Sequence, residues 1–301
     1  MYGPGLKVKQ CLVCGDITES AVIPQKVPAT PKITKVSRTS SGVKIEWNWI
    51  DGADEVYVYR KTKGGKWTKL TTLKPDMYGD MVCNFTDKSA KSGTTYYYTV
   101  KAKNEAGYSS YNKTGVAIKY VAAPKLTKIA NESSGVRVYW SKVGGADGYY
   151  LYRRVAGTSK WTKVATVKNG STTSYLDKKA SAGKTYEYII KAYDGSTVSA
   201  SAAKVIKIKR LTVPKLSSAK SGKSGVTVKW GKVAGASGYI VYRKTGKGSW
   251  VQLKSLEGNT KVSYVDKSAK KGKTYTYTVR AYSGSYKSAY NTKGLTVKDK
   301  Y

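Results

Sequence analysis

The sequence predicts an all-β protein made of three tandem β-sandwiches of seven strands each. Three observations predict it. The chain repeats itself three times with a period near 90 residues. Within each repeat, apolar and polar residues alternate over short runs, the signature of strands with one buried face. No stretch shows a helical 3.6-residue pattern of useful length. A period of 90 is too long for a solenoid unit, which runs about 20–50 residues. It is long enough for a domain with its own core.

The repeats align almost without gaps. They read GVKIEWNWIDGADEVYVYRK from Gly42, GVRVYWSKVGGADGYYLYRR from Gly135 and GVTVKWGKVAGASGYIVYRK from Gly225. Trp47, Trp140 and Trp230 are spaced by 93 and then 90 residues, as are Pro31, Pro124 and Pro214, which open the repeats. The expected organisation is a Cys-x-x-Cys segment with a Pro-containing linker over 1–28, then repeats over 29–121, 122–211 and 212–301. The joints KYVAAPK and KRLTVPK run from strand to strand through a proline. They predict a semi-rigid, monomeric rod within a longer polypeptide.

Seven runs occupy each repeat. In the second they begin near Lys125, Gly135, Gly148, Lys160, Thr173, Lys184 and Lys204. The first follows the opening proline. The second alternates toward the buried tryptophan: Val43, Ile45 and Trp47 in repeat 1, Val226, Val228 and Trp230 in repeat 3. The third places Val56 and Val58, Tyr149 and Leu151, or Tyr239 and Val241 inward. The fourth places Leu70, Val164 and Leu253 inward. The fifth ends at Asp87, Asp177 or Asp266, and the turn that follows reads DKSAKSGTTYYYTVKA in the first repeat. Tyr96, Tyr186 and Tyr275 then begin the sixth strand three residues after a glycine, where a tyrosine corner sits and bonds back to nearby backbone. The seventh strand closes the unit. Seven short alternating strands in about 90 residues describe a sandwich.

Together, the strand-two Trp, the corner Tyr and the ending Tyr-x-Val/Ile-x-Ala resemble the fibronectin type III family. In the first repeat KNEAGYSSYN from Lys103 is similar to the Asn-x-x-Gly loop that precedes the last strand of that family. The resemblance spans Ala29 to Tyr301 and implies an immunoglobulin-like sandwich per repeat. Ala90, Ala180 and Ala269 depart from it, standing where the family usually has Leu, which implies slightly looser packing. The Tyr-x-Val/Leu-Tyr-Arg strand followed by W-x-x-L or W-x-x-V looks like modules of secreted and surface proteins of Gram-positive bacteria. Such modules are spacers or accessory domains beside enzymes or adhesins. CLVCGDITESAVIP from Cys11 resembles the tail of a Cys-x-x-Cys-Gly repeat of clostridial surface proteins, which implies that the chain begins inside that module. The resemblance implies an extracellular or cell-surface location.

Composition narrows the chemistry. Without His, a Ser–His–Asp triad, a Cys–His dyad and a His-ligated metal are excluded. Three Cys are too few for a disulfide framework. Cys11 and Cys14 have the spacing of half a zinc knuckle, and the other thiol is Cys83. A disulfide between the two, or a metal site completed by residues beyond the chain, remains open. No metal or cofactor is expected within the chain itself. Asp87, Asp177 and Asp266 recur at one turn, and a turn residue bonding its own backbone accounts for them. No catalytic residue is expected. No run reaches the roughly 20 apolar residues that span a bilayer, and the first twenty residues hold no signal-peptide core.

Charge and aromatics point instead to binding. Lys and Arg number 55 against 18 Asp and Glu, for a net charge of +37. It rises along the chain, from +1 over 1–28 to +8, +12 and +16 across the repeats. Only eight basic residues are Arg. Lys, a hydrated point charge, suits diffuse attraction to polyanions such as anionic polysaccharide or wall polymer. No helix-turn-helix, zinc finger or RNA-recognition motif argues for specific nucleic-acid binding. Opposite the core, strand three carries Tyr57 and Tyr59, Tyr150 and Tyr152, or Ile240 and Tyr242. Trp67, Trp161 and Trp250 point outward ahead of strand four. Rings among lysines can stack on sugars, so a neutral glycan is a candidate partner. The plainer reading is cross-strand pairs that stabilise the sheet and shield Lys stems. Trp49 aligns with Lys142 and Lys232, and the first repeat's loop from Leu73 is four residues longer. A ligand private to one repeat is therefore expected in the first.

Overall fold

A computed structural model describes residues 5–10, 14, 17–23, 25–76 and 82–301. Cys11, and with it the Cys11–Cys14 pairing, and residues 77–81 of the long first-repeat loop lie outside the described residues. Among the described residues every regular element is a strand. β1 (Gly5–Gln10) and β2 (Ile17–Ile23) form an antiparallel pair.

The first repeat contains β3 (Ile33–Thr39), β4 (Gly42–Trp47), β5 (Glu55–Thr62), β6 (Thr68–Leu73), β7 (Asn84–Asp87), β8 (Thr95–Asn104), β9 (Gly107–Tyr108) and β10 (Val116–Lys119). The second contains β11 (Leu126–Asn131), β12 (Val136–Trp140), β13 (Gly148–Val155), β14 (Thr162–Val167), β15 (Ser174–Asp177), β16 (Thr185–Asp194), β17 (Thr197–Val198) and β18 (Ile206–Lys209). The third contains β19 (Leu216–Gly222), β20 (Gly225–Trp230), β21 (Gly238–Lys244), β22 (Val251–Glu257), β23 (Ser263–Asp266), β24 (Thr274–Ser283), β25 (Tyr286–Lys287) and β26 (Leu295–Lys298). Each repeat pairs a three-stranded sheet, ordered β3-β4-β7 in the first, with a larger sheet ordered β10-β8-β5-β6. The seventh strand is split: β9 and β10 both pair with β8. This is an immunoglobulin-like β-sandwich, three times in tandem.

The alternation places the core as the sequence predicts. Val43, Ile45 and Trp47 from β4 meet Val56 and Val58 from β5 and Tyr98 and Val100 from β8. The third repeat reproduces this with Val226, Val228, Trp230, Tyr239, Val241, Tyr277 and Val279. The tyrosine corner forms in all three. The backbone N–H of Lys91, Ser181 and Lys270 donates to the hydroxyl of Tyr96, Tyr186 and Tyr275 at 3.1, 3.1 and 3.2 Å. Gly42, Gly135 and Gly225 allow a close approach. A Cβ there would stand 2.1, 2.5 and 2.3 Å from the carbonyl oxygen of Asp87, Asp177 and Asp266.

Those aspartates are more than turn residues. Asp87 Oδ1 does accept from the Ser89 backbone N–H at 2.9 Å, as its turn requires. Its Oδ2 accepts from Tyr98 Oη at 2.7 Å and from Arg60 Nη1 at 2.6 Å. The Arg60 guanidinium in turn lies 4.5 Å over the ring of the corner Tyr96. The second repeat repeats the unit with Arg153, Asp177, Tyr188 and Tyr186. The third uses Arg243, Asp266, Tyr277 and Tyr275. Since β7 belongs to one sheet and β5 and β8 to the other, this cluster ties the two sheets together.

The carboxylates are 1–2% exposed. At Asp87 and Asp266 burial alone would raise the pKa, but hydrogen bonds from Ser89 or Ser268, the tyrosine and the arginine outweigh it. Asp87 and Asp266 are held below the usual aspartate range. Burial first, and the carboxylate second, push Tyr98 and Tyr277 well above the ordinary tyrosine value. An unfolded aspartate titrates near about 3.9. The stabilisation is therefore complete above that pH and is lost as pH falls through the lower folded value. Urea midpoints should accordingly drop between about pH 5 and pH 2. Asp266→Asn should cost about 3 kcal/mol at neutral pH by leaving Arg243 without its counter-charge, and should flatten the acid dependence of the third repeat.

Candidate functional site

The aromatic residues singled out on the outer sheet face are placed by a β-bulge. In the first repeat Val58 pairs with Thr71 but Tyr59 pairs with Lys69, so Leu70 is the extra residue. The second repeat skips Val164 between Leu151 and Tyr152, and the third skips Leu253 between Val241 and Tyr242. The bulge lets Leu70 and Leu73, three residues apart, both pack on the core. It also sets Lys69 opposite Tyr59 on the outer side. Without it, one half of β6 would turn inside out.

The three outer faces then diverge. In repeat 1, Tyr57 is only 8% exposed: it packs between Tyr59 (6.5 Å) and Tyr108 (5.8 Å), beneath Lys69 Nζ at 5.2 Å. Its hydroxyl donates to Glu55, which raises the tyrosine pKa and, together with Lys74, lowers that of Glu55. Burial first, then Tyr108 and Tyr111, raise the pKa of Tyr59. Lys61 Nζ sits 4.5 Å over Trp67. In repeat 2, Tyr150 lies under Lys163 at 4.6 Å, Trp161 under Arg154 at 4.5 Å, and Tyr152 is half-buried. In repeat 3, Tyr242 stacks on Tyr290 at 6.2 Å, and Trp250 meets Tyr290 edge-on at 6.0 Å beneath Lys244. Ile240 is buried. Trp49 stands apart from this face, 54% exposed in the segment after β4.

In the first repeat some of these residues line a cavity. It measures about 150 Å³ and is lined by Tyr59, Trp67, Thr99, Lys101 and Tyr111. A turn shapes its wall. Asn112 Oδ1 accepts from the backbone N–H of Thr114 and Gly115 at 3.0 and 3.1 Å. Gly115 has φ +79°, and a Cβ there would lie 2.6 Å from the Trp67 ring. Glycine thus permits both the left-handed backbone and the seat of the indole. Asn291 and Gly294 repeat the turn in the third repeat, with Trp250 above. In the second, Ala202 and Val205 occupy these places and Ser201 replaces the tyrosine.

Sequence reasoning found Tyr59 and Trp67 but not Tyr111, Thr99 or Lys101. A signal existed: Tyr-Asn-x-x-Gly occurs at 111–115 and 290–294 and is absent from repeat 2. Among the described residues no group of three Cys, Asp or Glu stands together. Cys83 is half-buried against the first core, and Cys14 is exposed.

No protein-family model matches the chain. It is 27% identical to exoglucanase B of Cellulomonas fimi over 277 residues, which covers 81% of this chain and 23% of that protein. The chain thus spans less than a quarter of that relative. The FN1–FN3 domains of chicken CNTN1 align over 91% of this chain and 99% of theirs, at 16% identity and a TM-score of 0.30.

Gly115→Ala should cost at least about 1 kcal/mol from the left-handed backbone alone and should displace Trp67. A red-shifted tryptophan emission, with a lowered urea midpoint, would report both. Gly144→Ala, at a position with open space around the Cβ, should change neither.

Proposed function

We propose that the chain is a non-catalytic accessory array of an extracellular bacterial protein. Its three basic sandwiches act as spacers that hold neighbouring parts against anionic polysaccharide or wall polymer. One observation carries this reading: basic residues outnumber acidic ones 55 to 18, and many of the acidic ones are taken up by structural pairs. Asp87, Asp177 and Asp266 lie inside the sheet-to-sheet clusters. Glu46, Glu132 and Glu187 are paired with Lys44, Arg137 and Arg154 at 2.8, 2.8 and 2.7 Å. Glycoside hydrolysis needs two carboxyl groups flanking one bond, and the first-repeat cavity is lined by no carboxylate. Asp51, Asp76, Glu105 and Glu257 are exposed, but they are few beside the lysines, and the net positive charge rises toward the C-terminal repeat.

Similarity to part of an exoglucanase supports placing the array within a larger polysaccharide-processing protein. The Gram-positive surface-protein character of the Tyr-Arg strands accords with the same setting. Attraction of this diffuse kind is screened by salt, since the Debye length shrinks from about 10 Å at 0.1 M to about 3 Å at 1 M. Retention of the chain on polygalacturonate and on wall teichoic acid should fall at least about tenfold over that range. Retention indifferent to salt would overturn the electrostatic reading. Release of reducing ends from any polysaccharide by the chain alone would overturn the non-catalytic one.

A further inference from the structure

We infer that the first repeat carries a binding subsite for a single pyranose ring of a glycan, formed by Tyr59, Trp67, Thr99, Lys101 and Tyr111. This is independent of the diffuse lysine field and belongs to one repeat only.

The argument starts from Thr99. It lies on the outward side of β8, yet it is 1% exposed, and its hydroxyl finds no hydrogen-bond partner among the described residues. A buried hydroxyl left unpaired is costly, so each such case calls for a reason. The other repeats avoid that cost. Thr278, in the matching place of the third, donates to the carbonyl of Asn291 at 2.8 Å. Ile189, in the second, has no polar group to satisfy. Among the three matching positions only Thr99 keeps an unpaired hydroxyl, and Thr99 lines the cavity.

The walls differ in the same way. Tyr290 of the third repeat closes onto both Tyr242 and Trp250 and fills the corresponding space. Its first-repeat counterpart Tyr111 stands off, and about 150 Å³ lies between it, Tyr59 and Trp67. Lys101 holds Tyr108 and Tyr111 from one side, its ammonium 4.3 and 5.8 Å from their centroids. Drug-sized ligands occupy about 300 Å³ or more, so this space suits one ring.

The chemistry selects a sugar. Ring faces are electron-rich and attract the C–H groups of a pyranose. Thr99 adds to the lining a buried neutral hydroxyl, which both donates and accepts and so matches a sugar hydroxyl. A phosphate or sulfate would need several donors at that depth. A nucleobase would need a flat exposed ring or a parallel slot, and Trp67 already carries Lys61 above its ring.

The test titrates the whole chain with cellohexaose, xylohexaose and a tri-galacturonate, up to millimolar concentration in about 1 M NaCl, where diffuse attraction is screened. The indole N–H resonance of Trp67, assigned with Trp67→Ala, reports occupancy. One of the sugars should shift it. Thr99→Val, which keeps the shape and removes the hydroxyl, should weaken binding by about tenfold without lowering the urea midpoint. Tyr111→Ser, the second-repeat residue, should weaken it comparably, and Trp161→Ala should have no effect. Four results would overturn the proposal: no shift with any sugar, equal affinity in Thr99→Val, equal affinity in Tyr111→Ser, or a Trp67 shift produced by a dT8 oligonucleotide and by none of the sugars. The polyanion retention described above can fail or succeed without affecting this outcome.

Discussion

The structure depends on one repeated arrangement: a buried aspartate that receives an arginine and a tyrosine from the opposite sheet while the arginine rests on the corner tyrosine. Breaking a buried pair of this kind typically costs several kcal/mol, because the partner charge is stranded. Here Asp87 and Asp266 each accept four hydrogen bonds and Asp177 three, so their burial is tolerated. The cluster fixes the end of one sheet against the middle of the other. With it in place, the valines and the strand-two tryptophan need only fill the space between. The close glycine at the start of β4, β12 and β20 belongs to the same arrangement, since it brings that strand against the aspartate's own carbonyl.

Holding the sheets from within leaves the outer face of the larger sheet free to vary. Repeat 2 dispenses with the tyrosine and the Asn-x-x-Gly turn. Repeat 3 folds its tyrosine down onto its neighbours. Repeat 1 leaves the same parts open. Across the aromatic face many rings lie under Lys and Arg side chains. Tyr57 shows this best: it faces outward and is nonetheless buried.

The architecture was legible because its signals are local. Alternation assigns Val43, Ile45, Val56 and Val58 to the core, and the spacing of Trp47, Trp140 and Trp230 marks the repeats. The tyrosine corner was legible from a glycine three residues ahead. What stayed hidden depends on distant contacts. Arg60, Asp87 and Tyr98 are 27 and 11 residues apart in chosen pairs, and no periodicity links them. The cavity escaped for a similar reason. Its walls come from β5, the approach to β6, β8 and the segment before β10, and it exists because Tyr111 does not do what Tyr290 does. Trp49, conspicuous in the alignment, lies elsewhere.

The bulge bears on how such an array stays soluble. β6, β14 and β22 are the outermost strands of their sheets. Similar repeats joined in one chain keep each other's unpaired edges at high local concentration, which invites pairing between the wrong strands. An extra residue in each of these edges breaks the ladder and increases its twist. Exposed Lys69, Lys163 and Lys254 beside it add repulsion between like edges. The same irregularity that aims a tyrosine outward therefore discourages the three sandwiches from joining into one continuous sheet.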